Sequence, residues 1–298
     1  EVTIDFLVTG SARLNVFKKG GDSLLGRSWH FRLHPFSLAE LETEFVDNSP
    51  EMQRTALASR SFSPSRAAES TFAQLLRFGG FPEPFLQGSE KMARLWRRSR
   101  TERVIREDLR DLSRIPDLSR VEMLASLLPE RVGSPLSRNA LREELFVSYE
   151  TVTRWLMSLS ELYYAFMLKP YTRRIARSLQ KEAKLYLWDW TEVENDGARF
   201  ENLVACHLLK ACDAWTDTGE GTFELCTLKN REHEEIDFLI VSNRRAWLPV
   251  EVKLSDTTPS RHWAKFLHYL DVPLALQLVA KPGVWNTHQF GASTLIVA

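Results

Sequence analysis

Two apolar runs around a short polar turn constrain this chain more than any other feature. Ile236-Asp237-Phe238-Leu239-Ile240-Val241 is followed by polar Ser242–Arg245 and then by Ala246-Trp247-Leu248-Pro249-Val250-Glu251-Val252-Lys253-Leu254. Runs of this composition predict two β-strands joined as a hairpin. Centred on Arg244, the hairpin sets Asp237 opposite Glu251, each seven residues from the centre. Directly opposed residues share one face of a sheet with side chains about 5 Å apart. Lys253, two residues beyond Glu251, joins them there by strand alternation. Phe238, Val250 and Val252 supply the apolar neighbours. Two carboxylates held that close repel each other unless a cation lies between them. Oxygen ligands of this kind suit Mg2+ or Mn2+. A lysine beside such an ion orients a bound water or stabilises charge on an attacked phosphate. Standing alone, Glu-x-Lys on a strand is equally the pattern of a solvated salt bridge.

Upstream, residues 199–215 have a helical period, with Phe200, Leu203, Val204, His207, Leu208 and Ala211 on one stripe and Glu201 at its flank. The order helix-borne Glu201, strand Asp237, strand Glu251-x-Lys253 resembles the signature of the PD-(D/E)xK nuclease superfamily. Pro249-Val250-Glu251-Val252-Lys253 is similar to its third element. The resemblance implies a mixed sheet flanked by helices. It also implies catalytic roles for Glu201, Asp237, Glu251 and Lys253: Asp237 and Glu251 holding the metal, Glu201 supporting it, and Lys253 assisting the attacking water. Related domains act as nucleases, as DNA binders or as scaffolds, and the residues alone leave these open.

Residues 47–70, rich in Ser, Pro and Arg, read as a surface loop or linker. The middle of the chain reads as a helical stretch over 89–128 and then as a winged helix-turn-helix. The first part carries Leu95, Val104, Ile105, Leu109 and Leu112 among many arginines. It is either a solvated face with i,i+4 ion pairs or a phosphate-binding stripe. Ser137 caps a helix to Leu145, Phe146-Val147-Ser148 forms a turn, and a second helix spans 149–162. Strand-like runs at 163–168 and 184–188 flank a basic tip with Arg173, Arg174, Arg177 and Lys181. If the module reads DNA, the second helix enters the major groove through Ser148, Tyr149, Thr151 and Arg154, with Arg173 and Arg174 on phosphates. Winged helices also serve as protein–protein spacers.

The first residues carry a further resemblance. Ile4–Thr9 reads as a buried strand ending in Thr9-Gly10-Ser11. Leu24-Leu25-Gly26-Arg27, a strand-like Trp29–Leu33 and Pro35-Phe36-Ser37-Leu38-Ala39-Glu40 follow, and later comes Gly79-Gly80-Phe81-Pro82-Glu83. These resemble the back half of the AAA-type ATPase domain in prokaryotic fusion proteins, where an AAA domain precedes a domain of unknown function 4143 with a nuclease-like fold. Lys181–Asp189 is similar to that family's wording as well. The resemblance makes Ser11 a γ-phosphate sensor and Arg27 a charge-stabilising residue. No G-x-x-x-x-G-K-[ST] occurs in the chain, so no backbone cradle for a triphosphate is present. ATP belongs to the intact family, and this chain by itself is expected neither to bind nor to hydrolyse it.

Composition sets the outer limits. The 298 residues are 44% hydrophobic and 26% charged, with 39 basic and 39 acidic side chains. That balance excludes a disordered chain and a bulk polyanion binder. Arginines number 28 against 11 lysines, a bias that suits phosphate contacts but equally reflects a GC-rich genome. Cys206, Cys212 and Cys226 form no C-x-x-C pair, which argues against a disulfide framework or structural zinc and points to the reducing cytoplasm. No apolar run reaches the roughly 18 residues of a membrane span. The chain opens without Met or a basic-then-apolar leader and reads as a fragment.

Together these readings predict an α/β protein in three parts. Residues 1–88 are a truncated AAA-type remnant with a helical lid, 89–190 a helical linker and winged helix, and 191–298 the PD-(D/E)xK-like domain. The expected function is DNA binding with a Mg2+-dependent phosphodiesterase site, and the remnant offers a surface for oligomerisation. The alternative is a non-catalytic module coupling an ATPase to a DNA or protein partner.

Overall fold

The structure, a computed structural model, describes residues 7, 9, 29–42, 49–60, 66–109, 117–172, 182–230, 232 and 234–298. Ten α-helices and eight strands lie within them. The predicted strand Ile4–Thr9, with Ser11, Arg27 and the basic tip Arg173, Arg174, Arg177 and Lys181, lies outside the described residues apart from Leu7 and Thr9. No described helix is long and apolar enough to cross a membrane.

The N-terminal part differs from the sequence reading in two places. Trp29–Leu33 is not a strand: Trp29, Phe31 and Leu33 are exposed, and the segment pairs with no described strand. Arg32 anchors it instead, donating to Asp213 at 2.6 Å and to Asp217 at 2.6 and 3.1 Å. Residues 47–70, expected as a linker, contain helix α2 (Pro50–Ser59) after the short α1 (Leu38–Glu42). Pro50 stands in its first turn, where a missing N–H costs nothing. Arg60, left-handed at φ 52°, closes its end onto the carbonyls of Ala56 and Leu57. Three helices follow: α3 (Arg66–Phe78), α4 (Pro82–Gln87) and α5 (Glu90–Glu102).

Next come α6 (Leu118–Leu127), α7 (Arg138–Leu145) and α8 (Tyr149–Glu161). Ser137 and Ser148 cap the last two by accepting from Ala140 and Thr151, and Phe146 makes the turn between them at φ 54°. An antiparallel pair then forms from β1 (Ala165–Leu168) and β2 (Lys184–Leu187), with Leu168 opposite Lys184. All four residues of β2 are buried.

The C-terminal part is built on a six-stranded mixed sheet in the order β3-β4-β5-β6-β8-β7. Its strands are β3 (Phe223–Lys229), β4 (Glu235–Ser242), β5 (Arg245–Lys253), β6 (Leu274–Val279), β7 (Asn286–Phe290) and β8 (Ser293–Val297). β5, β6 and β8 run parallel, and helix α10 (Trp263–Leu270) makes the crossover from β5 to β6. Helix α9 (Asp196–Asp217) packs on one face with Phe238, Ile240, Leu248, Val250 and Leu276. On the other face α10 meets Leu239, Val241, Ala275 and Leu295. The first of these cores does not stop at the sheet: it continues through Tyr186, Tyr164 and Trp155 to Leu75.

Two irregularities in the sheet decide where the polar side chains point. Between β4 and β5, Asn243 and Arg244 form a two-residue turn with φ of 49° and 67°, the positive pair of a type I′ hairpin. Ser242 pairs Arg245 and Val241 pairs Ala246, but Ile240 pairs Leu248, so Trp247 is an extra residue. Between β3 and β4, Cys226 pairs Leu239 while Leu228 pairs Ile236, so Asp237 and Phe238 both face Thr227. A bulge therefore sits at Asp237 itself. Bulges re-aim side chains beside functional sites.

Candidate functional site

The turn and the bulge at Trp247 together put Phe238 opposite Val250, so the register brings the next residues, Asp237 and Glu251, level with each other. There the side chains take over from the backbone ladder. The Asp237 N–H donates to Glu251 Oε2 at 3.3 Å, and the Val252 N–H donates to Asp237 Oδ2 at 2.8 Å. Lys253 Nζ donates to Glu251 Oε1 at 2.5 Å. Pro249 comes just before β5 begins to pair β6 at Val250, so its missing N–H breaks no bond to that strand. The predicted Asp–Glu–Lys convergence is present, although the hairpin turns between Asn243 and Arg244 rather than on Arg244.

These three residues line an open cleft of about 440 Å3 whose far wall is Ser260, Arg261 and His262 at the start of α10. Its rim is Glu232, Glu234 and Glu235. Gln277 on β6, fully buried, holds that wall: its Oε1 accepts from the Ser260 N–H and from Trp263 Nε1, both at 3.1 Å. On the rim, His262 Nδ1 lies 3.3 Å from Glu234 Oε1.

Glu201, the fourth predicted residue, does not line the cleft. Asn195 caps α9 by accepting from Ala198 at 2.9 Å, and the helix carries Glu201 inward. Tyr186 donates to Glu201 Oε1 at 2.8 Å, and Gly133 stands so close that a Cβ there would lie 3.0 Å from Glu201 Oε2. Between Glu201 and Asp237 sits a residue that sequence reasoning missed, Lys184 of β2. Its ammonium lies 3.6 Å from Glu201, 3.9 Å from Asp237 Oδ1 and in direct contact with Glu235 Oε1. Asn202, fully buried, fixes β2 in this position. Its Oδ1 accepts from the Leu187 N–H at 2.9 Å and its Nδ2 donates to the Leu187 carbonyl at 2.6 Å. A signal was present in Lys184-Leu185-Tyr186-Leu187, where two polar groups alternate with leucine in a strand. Nothing local, however, says which surface they meet.

The electrostatics follow from burial. Desolvation first, and then the charge of Asp237, push Glu251 and Glu201 up to about 7 each. Asp237 is also raised by burial, against the pull of Lys184. Burial disfavours the charged form of Lys184, but Glu201, Asp237 and Glu235 outweigh it and the ammonium is held above its ordinary value. Burial opposes the charge of Lys253 too, but its bond to Glu251 and the charges of Glu251, Asp237 and Asp256 together outweigh it and hold the ammonium above its ordinary value. Both lysines are therefore cations at neutral pH. The four carboxylates are crowded acids with two fixed ammoniums among them. Among the described residues, no group of three or more His, Cys, Asp and Glu side chains is arranged as a metal cage.

The predicted nucleic-acid residues lie apart from this cleft, on the outer side of α8. Ser148 and Thr151 are used in the helix cap, their hydroxyls 3.1 Å apart. Tyr149 stacks under the Arg138 guanidinium at 6.0 Å, and Arg154 is exposed. The groove beside them also contains Glu150, Met157 and Glu161, so this face is not strongly basic. His207, a core residue by sequence, links α1 to α9: its Nε2 accepts from the Leu38 N–H at 3.1 Å while Nδ1 meets the Leu203 carbonyl.

Comparison with known proteins divides the chain in two. Residues 69–191 match a domain of unknown function, DUF8612. Residues 196–290, which span α9, β3, β4, β5 and α10 with all four predicted acid and lysine residues, match a second such domain. DUF4143 is found over this segment. No curated protein and no solved structure matches the chain. The segment that matches DUF4143 thus contains Glu201, Asp237, Glu251 and Lys253, and the segment that matches DUF8612 contains Lys184 and Tyr186.

Proposed function

We propose that this chain is a DNA-binding protein whose DUF4143 domain is a Mg2+- or Mn2+-dependent phosphodiesterase of the PD-(D/E)xK type. In this reading a winged helix built on α7, α8, β1 and β2 contacts the duplex, and the first residues are a remnant of an AAA-type ATPase domain. The observation that carries the reading is the interlocked pair Asp237 and Glu251 with Lys253, at the wall of an open cleft.

The donors fit a hard divalent ion. Asp237 Oδ1 accepts no hydrogen bond among the described residues and has only the 3.9 Å contact to Lys184. Two buried carboxylates pushed toward neutrality lose that penalty when a cation joins them. Asp237 and Glu251 would hold the ion, which when bound activates water and offsets charge on a phosphodiester. Lys253, a third exposed and protonated, is placed as a hydrogen-bond donor to a developing phosphate charge rather than as a base. Tyr186 and Gly133 position Glu201 behind this pair. The cleft admits a phosphate between Lys253 and the Arg261–His262 wall.

The test is cleavage of plasmid, linear duplex, single strands, junctions and RNA with Mn2+ or Mg2+, comparing wild type with Lys253→Ala. Cleavage by wild type that is lost in the variant is the expected result. No cleavage of any substrate, or equal cleavage by the variant, overturns the reading. Duplex affinity followed against salt tests the winged helix, because Arg173→Ala with Arg174→Ala should flatten the salt slope. A second reading, a non-catalytic module joining an ATPase to a DNA or protein partner, is favoured by Lys184, which already neutralises part of the acid cluster.

A further inference from the structure

A lysine buried to 5% exposure is uncommon unless its charge is matched. Lys184 is matched three times over, by Glu235, Glu201 and Asp237. It arrives on a strand whose position is fixed by Asn202 and by the pairing of β2 with β1. Its contact with Asp237 is at Oδ1, whereas Oδ2 accepts from the Val252 N–H, and the ammonium partner of Glu251 is Lys253. The acids therefore divide into two subsites that share Asp237. One holds Lys184 and reaches the cleft through Glu235, and the other, Glu251 with Lys253, lines the cleft.

Charge counting points the same way. Glu201, Glu235, Asp237 and Glu251 bring four negative charges when ionised, and Lys184 and Lys253 return two. The remainder equals one divalent ion. Lys229 touches only the outer oxygen of Glu235, at 3.7 Å, and is a third exposed, so solvent screens it.

We propose that Lys184 permanently fills the cation position between Glu201, Glu235 and Asp237, so that the site takes one divalent ion, between Asp237 and Glu251, and never two. The inference rests on the metal-dependent reading above and deepens it, since it makes the chemistry a one-ion reaction in which a protein ammonium replaces the second metal. It also gives the DUF8612 segment a direct part in the DUF4143 site.

The experiment counts bound Mn2+ by calorimetry and by the loss of the free-ion paramagnetic resonance signal, on the whole chain. The expected result is one ion for wild type and two for Lys184→Met, the second needing the vacated subsite. Lys184→Gln, which keeps the length and a hydrogen-bond donor, serves the same purpose if the Met variant does not fold. Two ions on wild type would overturn the inference and leave the metal-dependent reading standing. One ion on both wild type and the folded variant would also overturn it. No Mn2+ bound by wild type, with Asp237→Ala indistinguishable from it, would instead remove the metal-dependent reading, and the inference with it.

Discussion

Replacing Asp237 by Asn is expected to stabilise the metal-free protein above neutral pH while abolishing its response to Mn2+. The amide oxygen keeps the 2.8 Å bond from the Val252 N–H, and the side-chain volume hardly changes. What disappears is a charge that the fold disfavours, since burial holds the Asp237 carboxyl above its ordinary range despite Lys184. The relief extends to Glu251 and Glu201, for which Asp237 is the second cause after burial of their rise to about 7. Lifting a buried carboxyl from 4.5 to about 7 costs its ionised form roughly 3 kcal/mol, and a share of about 1–2 kcal/mol falls to Asp237. The sign is fixed by linkage. Acids raised in the folded state contribute stability below their unfolded value near 4.5, and that stability is lost as pH rises through about 7. Urea unfolding followed by tryptophan fluorescence, in chelator, should therefore show Asp237→Asn more stable than wild type by about 1–2 kcal/mol at about pH 8, with the gap nearly closed at about pH 5. A variant weaker than wild type at the higher pH, or an equal gap at both, would refute the account of the cluster as mutually repelling acids.

Other consequences can be checked on the same protein. Because burial and the charge of Asp237 push Glu251 up to about 7 without metal, the thermal stabilisation by millimolar Mn2+ should grow from about pH 6 to about pH 8, with proton release detectable in buffers of different ionisation heat. Asn202→Ala leaves the Leu187 N–H without its side-chain partner and its carbonyl with only the weak Cys206 thiol donor, and chemical denaturation should show a loss of about 2–4 kcal/mol. Gly80→Ala would put a Cβ 2.7 Å from the Trp190 ring and 2.8 Å from the Phe36 carbonyl, so a melting curve should report about 1–3 kcal/mol of destabilisation.

The cross-strand pair was legible because strand alternation is local arithmetic. Its success also depended on compensation. The true turn lies half a residue before Arg244, and the extra residue Trp247 restores the register that places Glu251 beside Asp237. Helix α9 and the half-buried His207 on its inner stripe were likewise visible in periodicity alone. Trp29–Leu33 was misread because its alternating aromatic pattern suits a strand, whereas the actual anchor is Arg32 on acids 181 and 185 residues away. Helix α2 was overlooked because Ser, Pro and Arg were weighed as loop composition, although Ser49-Pro50-Glu51 is also a helix start. Lys184 shows the deeper limit. Its side chain's surroundings are set by a docking of β2 onto α9, and no spacing within the chain encodes which acids it will meet.

The two family matches meet between residues 191 and 196, yet the core beneath them is continuous from Leu75 to Ile296. The boundary between the two matches falls across packed side chains and a shared cluster of charges. An exchange of the DUF4143 segment between relatives would have to carry a compatible strand in place of Lys184–Leu187, because a mismatched donor would leave Glu201 without its ammonium and Glu235 with the exposed Lys229 in place of the buried one. The bounds of the family matches and the bounds of the folded core therefore differ in this protein. Excising residues 196–290 for separate study would remove two of the groups, Lys184 and Tyr186, that give its acids their character.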